Sequence, residues 1–145
     1  ILKDENRLGT VRKNTPFGVV GEIDEKSMAY FSTSLIEIGN KDEVQIGPAK
    51  ILACLDHEIK EYDIEIIKTY YQSKATDKSF IIRIVDKELL TLTNGIIQGM
   101  SGCPIIQNGK LIGAVTHVFM NDPSKGYGIY AQWLFDENAR KKSDL

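Results

Sequence analysis

Between Leu8 and Ile129 the chain is a succession of short runs rich in Val, Ile, Tyr, Phe and Thr, each broken within a few residues by Gly, Asn, Asp or Pro. This punctuation constrains the fold more than any other feature. β-Branched and aromatic residues suit a pleated surface, and the breaking residues supply the backbone conformations of tight reversals. Strands are predicted at residues 8–13, 17–23, 29–32, 49–55, 62–71, 80–85, 104–107, 111–119 and 127–129. Turn signals stand between them at Asn14-Thr15-Pro16, Gly39-Asn40, Gly47-Pro48, Thr93-Asn94-Gly95, Asn108-Gly109 and Asn121-Asp122-Pro123. Such spacing predicts an all-β, antiparallel barrel or sandwich. Residues 64–71 mix alternating and continuous apolar positions, as in a strand that passes from a half-exposed to a buried setting. Residues 131–142 carry few β-branched side chains and finish in Arg140-Lys141-Lys142, which predicts one short C-terminal helix.

A chain of 145 residues with 42% hydrophobic content suits one domain with a single core. The net charge is −2, with Lys and Arg scattered among Asp and Glu, so no basic field exists to gather phosphates and nucleic acid is not expected as a partner. No apolar run approaches the length of a membrane span, and no signal sequence opens the chain. The start at Ile1, in a charged stretch, reads as a cleavage point or an expression boundary. The two cysteines, Cys54 and Cys103, are compatible with one disulfide or none, and small buried thiols are the simpler expectation.

Chemistry concentrates at Gly99-Met100-Ser101-Gly102-Cys103-Pro104, which precedes Ile105-Ile106 and the hairpin signal Asn108-Gly109. Glycines flanking Ser101 allow a tight turn in which the N–H groups of Gly99 and Ser101 converge on an oxyanion, the arrangement that acyl transfer to a serine requires. Pro104 has no donor, which helps to separate the serine turn from the strand ladder. An α/β-hydrolase elbow is excluded, because position 103 is Cys and an extended segment follows. Cys103, beside Pro104 and an apolar strand, reads as an inert thiol. Neither a metal-ligand spacing nor a nucleotide-binding glycine loop is present, so no cofactor and no metal are expected.

A serine nucleophile needs a base, and the chain has only His57 and His117. A two-residue turn at Asn108-Gly109 pairs Gln107 with Lys110 and brings Ser101 near Thr116. Strict alternation then turns His117 to the opposite face from Thr116, away from the serine hydroxyl, so His117 is expected to line a substrate cleft or to pack. His57, within Asp56-His57-Glu58, reads as a solvated loop residue. Asp86 ends an apolar strand, a position from which a carboxylate either orients an imidazole or caps a turn.

Residues 96–102, 104–119, 121–123 and 126–128 closely resemble the stage IV sporulation protein B serine peptidases of endospore-forming bacteria. Asn14-Thr15-Pro16-Phe17-Gly18, Gly47 to Leu52 and Tyr62 to Ile66 extend the likeness over most of the chain. The resemblance implies a trypsin-like antiparallel β-barrel and a serine endopeptidase secreted from the forespore into the space between the two surrounding membranes. Members of that family cut themselves and a membrane-complex component, which releases processing of a mother-cell sigma factor. The resemblance places the nucleophile on Ser101 and the triad aspartate on Asp86. The family's histidine motif, its PDZ domain and its membrane anchor precede this region, and Glu22 follows Gly21 where that histidine motif would otherwise read on. Residues 1–145 are therefore expected to be the C-terminal portion of the peptidase domain, inactive alone, with Thr116, His117 and Val118 pairing an extended substrate. The expected partners are a protein or peptide substrate, the upstream portion of the same domain and membrane proteins of the sporulation signalling complex. Two alternatives stay open: a non-catalytic peptide-binding module of the same fold, and a histidine supplied by a second chain.

Overall fold

The computed structural model describes residues 7–31 and 34–135, which divide into two units at residue 35. In the first unit, β1 (Gly9–Thr15) and β2 (Gly18–Ile23) form an antiparallel hairpin and pair only with each other. Its turn is held by Thr15, whose hydroxyl donates to the Gly18 carbonyl at 2.9 Å and accepts from the Phe17 N–H at 3.2 Å. The strand predicted at residues 29–32 is corrected here. Glu25–Tyr30 form a 3₁₀ turn instead, and Ser32 lies outside the described residues. The hairpin binds the start of this turn through the Asp24 N–H, which donates to the Leu8 carbonyl, and Ala and Met within the turn disfavour an extended chain.

The second unit opens with β3 (Glu37–Ile38) and a 3₁₀ turn at Lys41–Glu43. β4 (Gly47–Leu55), β5 (Glu58–Thr69), β6 (Phe80–Ile84), a short helix α1 (Lys87–Thr93), β7 (Pro104–Gln107), β8 (Lys110–Phe119), β9 (Asp122–Tyr130) and the helix α2 (Ala131–Phe135) follow. Six strands are hydrogen-bonded in the order β8-β7-β4-β5-β6-β9, every pair antiparallel, and β9 pairs back onto β8. The sheet is thereby closed, so the outcome is a six-stranded antiparallel barrel with a short C-terminal helix. β3 lies parallel to β8 at Lys110 and Leu111, before β9 reaches that strand. The Lys110 ammonium bridges Glu37 and Glu43, each at 2.8 Å, and these two bonds raise its pKa.

Period-2 alternation fills the barrel. Ala49, Ile51 and Ala53 point inward from β4, as do Tyr62, Ile64 and Ile66 from β5, and Phe80, Ile82 and Ile84 from β6. The continuous apolar run at Ile66-Ile67 marks a register shift between Ile66 and Lys68, not a strand buried on both faces. The Phe80 ring occupies the space over β8 and β9: a Cβ at Gly128 would fall 2.4 Å from it and one at Gly113 2.9 Å. These glycines are needed for close approach. Gln107, a polar residue facing the core, closes its amide on the Gln45 N–H (3.0 Å) and on the Gln45 (2.9 Å) and Pro48 (3.1 Å) carbonyls.

The helix α1 was not expected, although its boundaries are written in the chain. Asp86 accepts from the Leu89 N–H as N-cap, and Asn94 takes the left-handed C-cap conformation at φ 57°. The C-terminal helix is seen at Ala131–Phe135, and its predicted extension to Lys142 lies outside the described residues.

Candidate active site

The serine turn connects α1 to β7 and is fastened at both ends. Ile96 is buried, and its N–H donates to the Pro123 carbonyl at 2.7 Å. Met100, 3% exposed, sends its thioether inward to accept the Ile97 N–H at 3.5 Å. Burying Met100 turns the next residue, Ser101, out to solvent. On the far side the Gly102 N–H donates to the Val115 carbonyl at 2.8 Å, the Val115 N–H to the Cys103 carbonyl at 3.0 Å, and the Cys103 N–H to the Met100 carbonyl at 3.0 Å.

Gly99 and Gly102 adopt φ of 98° and 89°. Nothing lies within 4 Å of a Cβ at either position, so the backbone conformation demands glycine there and not the available space. Within this turn the N–H groups of Gly99 and Ser101 donate to no acceptor among the described residues. The turn thus carries an exposed hydroxyl together with two backbone N–H groups that have no acceptor among the described residues.

The Ser101 hydroxyl donates to the Thr116 carbonyl at 3.2 Å. The hairpin register begins as expected, with Gln107 opposite Lys110 across the Asn108-Gly109 turn, both residues at positive φ. A bulge then shifts the ladder by one residue, so that Ile105 faces Gly113 and Pro104 faces Ala114. Pairing with β7 ends there, apart from the Val115 bonds, and from Thr116 onward no strand among the described residues pairs with β8 on that side. The other side of that stretch is occupied by β9, with His117 opposite Tyr127 and Val118 opposite Gly126.

A second shift on β8, between Val115 and His117, makes Thr116 an extra residue in the ladder with β9. This corrects the expectation of strict alternation. The Thr116 hydroxyl donates to the Asp77 carbonyl (2.7 Å) and the Tyr127 carbonyl (3.2 Å), and His117 Nε2 lies 3.6 Å from Asp77 Oδ2. Both side chains thus end on Asp77. No histidine is hydrogen-bonded to Ser101 among the described residues. His57 occupies the exposed β4–β5 turn beside Asp56, both at positive φ.

Asp86 has work of its own. Its Oδ1 accepts the Leu89 N–H at 3.0 Å, its Oδ2 accepts the Asp63 N–H at 3.1 Å, and its N–H donates to the Asp63 carbonyl at 3.0 Å. Burial disfavours the charged form, yet the N–H groups of Leu89, Asp63 and Glu88 together hold the carboxyl below its usual range. The carboxylate therefore ties α1 to β5, and no hydrogen bond joins it to Ser101.

Cys54 and Cys103 are both free. Cys54 is exposed, against the expectation of a buried thiol, because it follows inward-facing Ala53 on β4. Burial, reinforced by Cys54, pushes the Cys103 thiol up, which leaves it a poor nucleophile. Among the described residues no group of three or more His, Cys, Asp or Glu side chains is placed to hold a metal ion, and no helix is long and apolar enough to cross a membrane. Sequence reasoning missed Asp77 and its support, Gln72. Neither carries a local signal, since Asp77 meets Thr116 across 39 positions.

The sequence matches the family SpoIVB peptidase S55 over residues 1–135. The chain belongs to that family. Comparison with curated proteins gives no match. Among solved structures, the active form of the Rv3671c protease from M. tuberculosis is similar at a TM-score of 0.60 and 16% identity, covering 85% of this chain and 53% of the other. An inactive form of Rv3671c gives 0.64 and 15%, with 94% and 67% covered. AlgW, an HtrA-type protease solved with a decapeptide, gives 0.59 and 16%, with 94% and 39% covered. At these identities the likeness shows the fold, that of trypsin-like and HtrA-type proteases. This SpoIVB-family chain spans about half the length of the first of those structures.

Proposed function

We propose that this chain is the serine-bearing part of a serine endopeptidase domain. The observation that carries the reading is the exposed Ser101 hydroxyl on a glycine-bounded turn whose Gly99 and Ser101 N–H groups have no acceptor among the described residues. Ser101 Oγ attacks the peptide carbonyl and gives its proton to a histidine supplied by polypeptide outside these residues. The two N–H groups hold the oxyanion. The C–N bond then breaks, the amine takes the proton from the histidine, and water releases the acyl group by the same route.

Family resemblance assigns the orientation of that histidine to Asp86. A carboxylate offers about four acceptor positions, so the N–H groups of Leu89, Asp63 and Glu88 do not exhaust it. Thr116, His117 and Val118 take the substrate as an added strand on the open side of β8. Family membership further supports a secreted peptidase of sporulation signalling that cleaves itself and a membrane-complex protein to trigger sigma-factor processing. Alone, the 145-residue chain keeps only what an oxyanion hole and binding supply, roughly 10³-fold over water.

The second reading, a peptide-binding module that does not cut, is favoured by one observation: Ser101 is bonded to a carbonyl and not to a base. A fluorophosphonate probe applied to the longest natural form, and separately to this chain, distinguishes the two when adducts are located by peptide mass spectrometry. Labelling of Ser101 in the longer form alone is the expected result. A folded long form left unlabelled would overturn the peptidase reading in favour of the binding module.

A further inference from the structure

We propose that Asp77, together with His117, forms a subsite on the open side of β8 that selects a lysine or arginine side chain of an extended peptide. The inference rests on the reading of Ser101 and β8 as a peptide-handling site.

Asp77 is built into position. The segment 70–79 that carries it is organised by Gln72, whose amide donates to Thr76 Oγ1 (2.6 Å) and the Lys78 carbonyl (2.9 Å) and accepts from Ser79 Oγ (2.9 Å) and Trp133 Nε1 (2.8 Å). The Ser79 N–H is bonded to the Gly128 carbonyl at 2.8 Å, and the Tyr130 hydroxyl donates to the Tyr70 carbonyl at 3.0 Å. The segment is thus tied to β9 and α2. Its Asp77 carbonyl takes the Thr116 hydroxyl at 2.7 Å, and the carboxylate stands beside His117, in the stretch of β8 beyond its pairing with β7. A binding group held by packed neighbours in this way is ordered before its ligand arrives, which lowers the entropic cost of recognition.

The charges around the edge decide what it accepts. Lys78 lies over the Tyr127 ring at 5.1 Å, and Lys125 is paired with Asp122 at 2.8 Å. Asp77 has His117 as its ion partner, at 3.6 Å, longer than a hydrogen bond, and the two side chains are 45% and 48% exposed. At that distance and exposure the carboxylate keeps acceptor positions turned toward solvent at the rim. An ammonium or guanidinium gains a charge-assisted hydrogen bond there, whereas an acidic side chain is repelled. A strand advances about 3.3 Å per residue, and Thr116, the neighbour of His117, touches Ser101. The recognised side chain therefore lies within about four residues of the bond that Ser101 would attack.

The test uses the longest natural form carrying Ser101→Ala, titrated by fluorescence anisotropy with peptides identical except for Lys, Gln or Glu at one of the four positions nearest the junction. At one position the Lys peptide should bind about fivefold tighter than the Gln peptide, the ratio that a half-exposed ion pair supplies. Asp77→Asn keeps the main-chain carbonyl that Thr116 needs and should collapse that ratio toward one, and Asp77→Lys should turn it toward Glu. A preference for Lys that survives Asp77→Asn, or equal binding of all peptides at every position, would overturn the subsite. Fluorophosphonate labelling of the unsubstituted protein reports separately on the peptidase reading. A Lys preference without labelling leaves the subsite standing and removes the peptidase, and labelling without a preference does the reverse.

Discussion

Replacing Asp86 separates its two roles. Asp86→Ala removes the N-cap bond to the Leu89 N–H, which costs about 1 kcal/mol, and the bond to the Asp63 N–H, which costs about 1 kcal/mol more because that donor reverts to water. A combined loss of about 2 kcal/mol lowers the barrel's Tm by roughly 6–8 °C for a chain of this size. Asp86→Asn keeps one carbonyl oxygen but turns a donor toward another donor, so it should lose about half as much. Circular dichroism melts of the three proteins provide the measurement. The sign of the pH dependence follows from the carboxyl being held below its ordinary value of 3.8. Its contribution is complete above that value and disappears as pH falls through the lower folded-state value, so the gap between wild type and Asp86→Ala should be full at pH 7 and shrink below about pH 4. If Asp86 also orients a histidine, Asp86→Asn in the longest natural form should cut kcat by ~10⁴ while the protein remains folded. An unchanged Tm in Asp86→Ala, or a gap independent of pH, would refute the cap and clamp. An unchanged labelling rate at Ser101 in folded Asp86→Asn would refute the orienting role.

Phe80→Ala should destabilise the barrel by about 3–5 kcal/mol in urea unfolding, because the lost ring leaves a cavity against Gly113 and Gly128, which have no side chains to fill it. Iodoacetamide at pH 7.5 should modify Cys54 well before Cys103, as followed by peptide mass spectrometry, since Cys54 is exposed and burial keeps Cys103 protonated. Faster modification of Cys103 would contradict the burial seen beside the serine turn.

Local chemistry by itself determined much of this protein. The Asn108-Gly109 pair commits the chain to a two-residue hairpin, because both positions take positive φ, and Gln107 meets Lys110 as a direct result. Alternation in β4 and β6 specifies which residues face the core, and the glycines around Ser101 set the backbone of its turn. The caps of helix α1, Asp86 at its start and Asn94-Gly95 at its end, are local as well, but seven residues with little apolar periodicity fall below what pattern reading detects, and no helix was expected there.

Tertiary structure alone decided the rest. Bulges depend on which partner strand is available and where it stops, so neither the one-residue shift between β7 and β8 nor the extra Thr116 against β9 could be counted from the turn. The shift at Thr116 brings Thr116 and His117 onto Asp77, an encounter across 39 positions for which the chain carries no local mark. The two oxygens of Asp86 show the same division. One serves the Leu89 N–H three residues away and is readable from sequence; the other serves β5, 23 residues away, and appears only once β5 and β6 have paired.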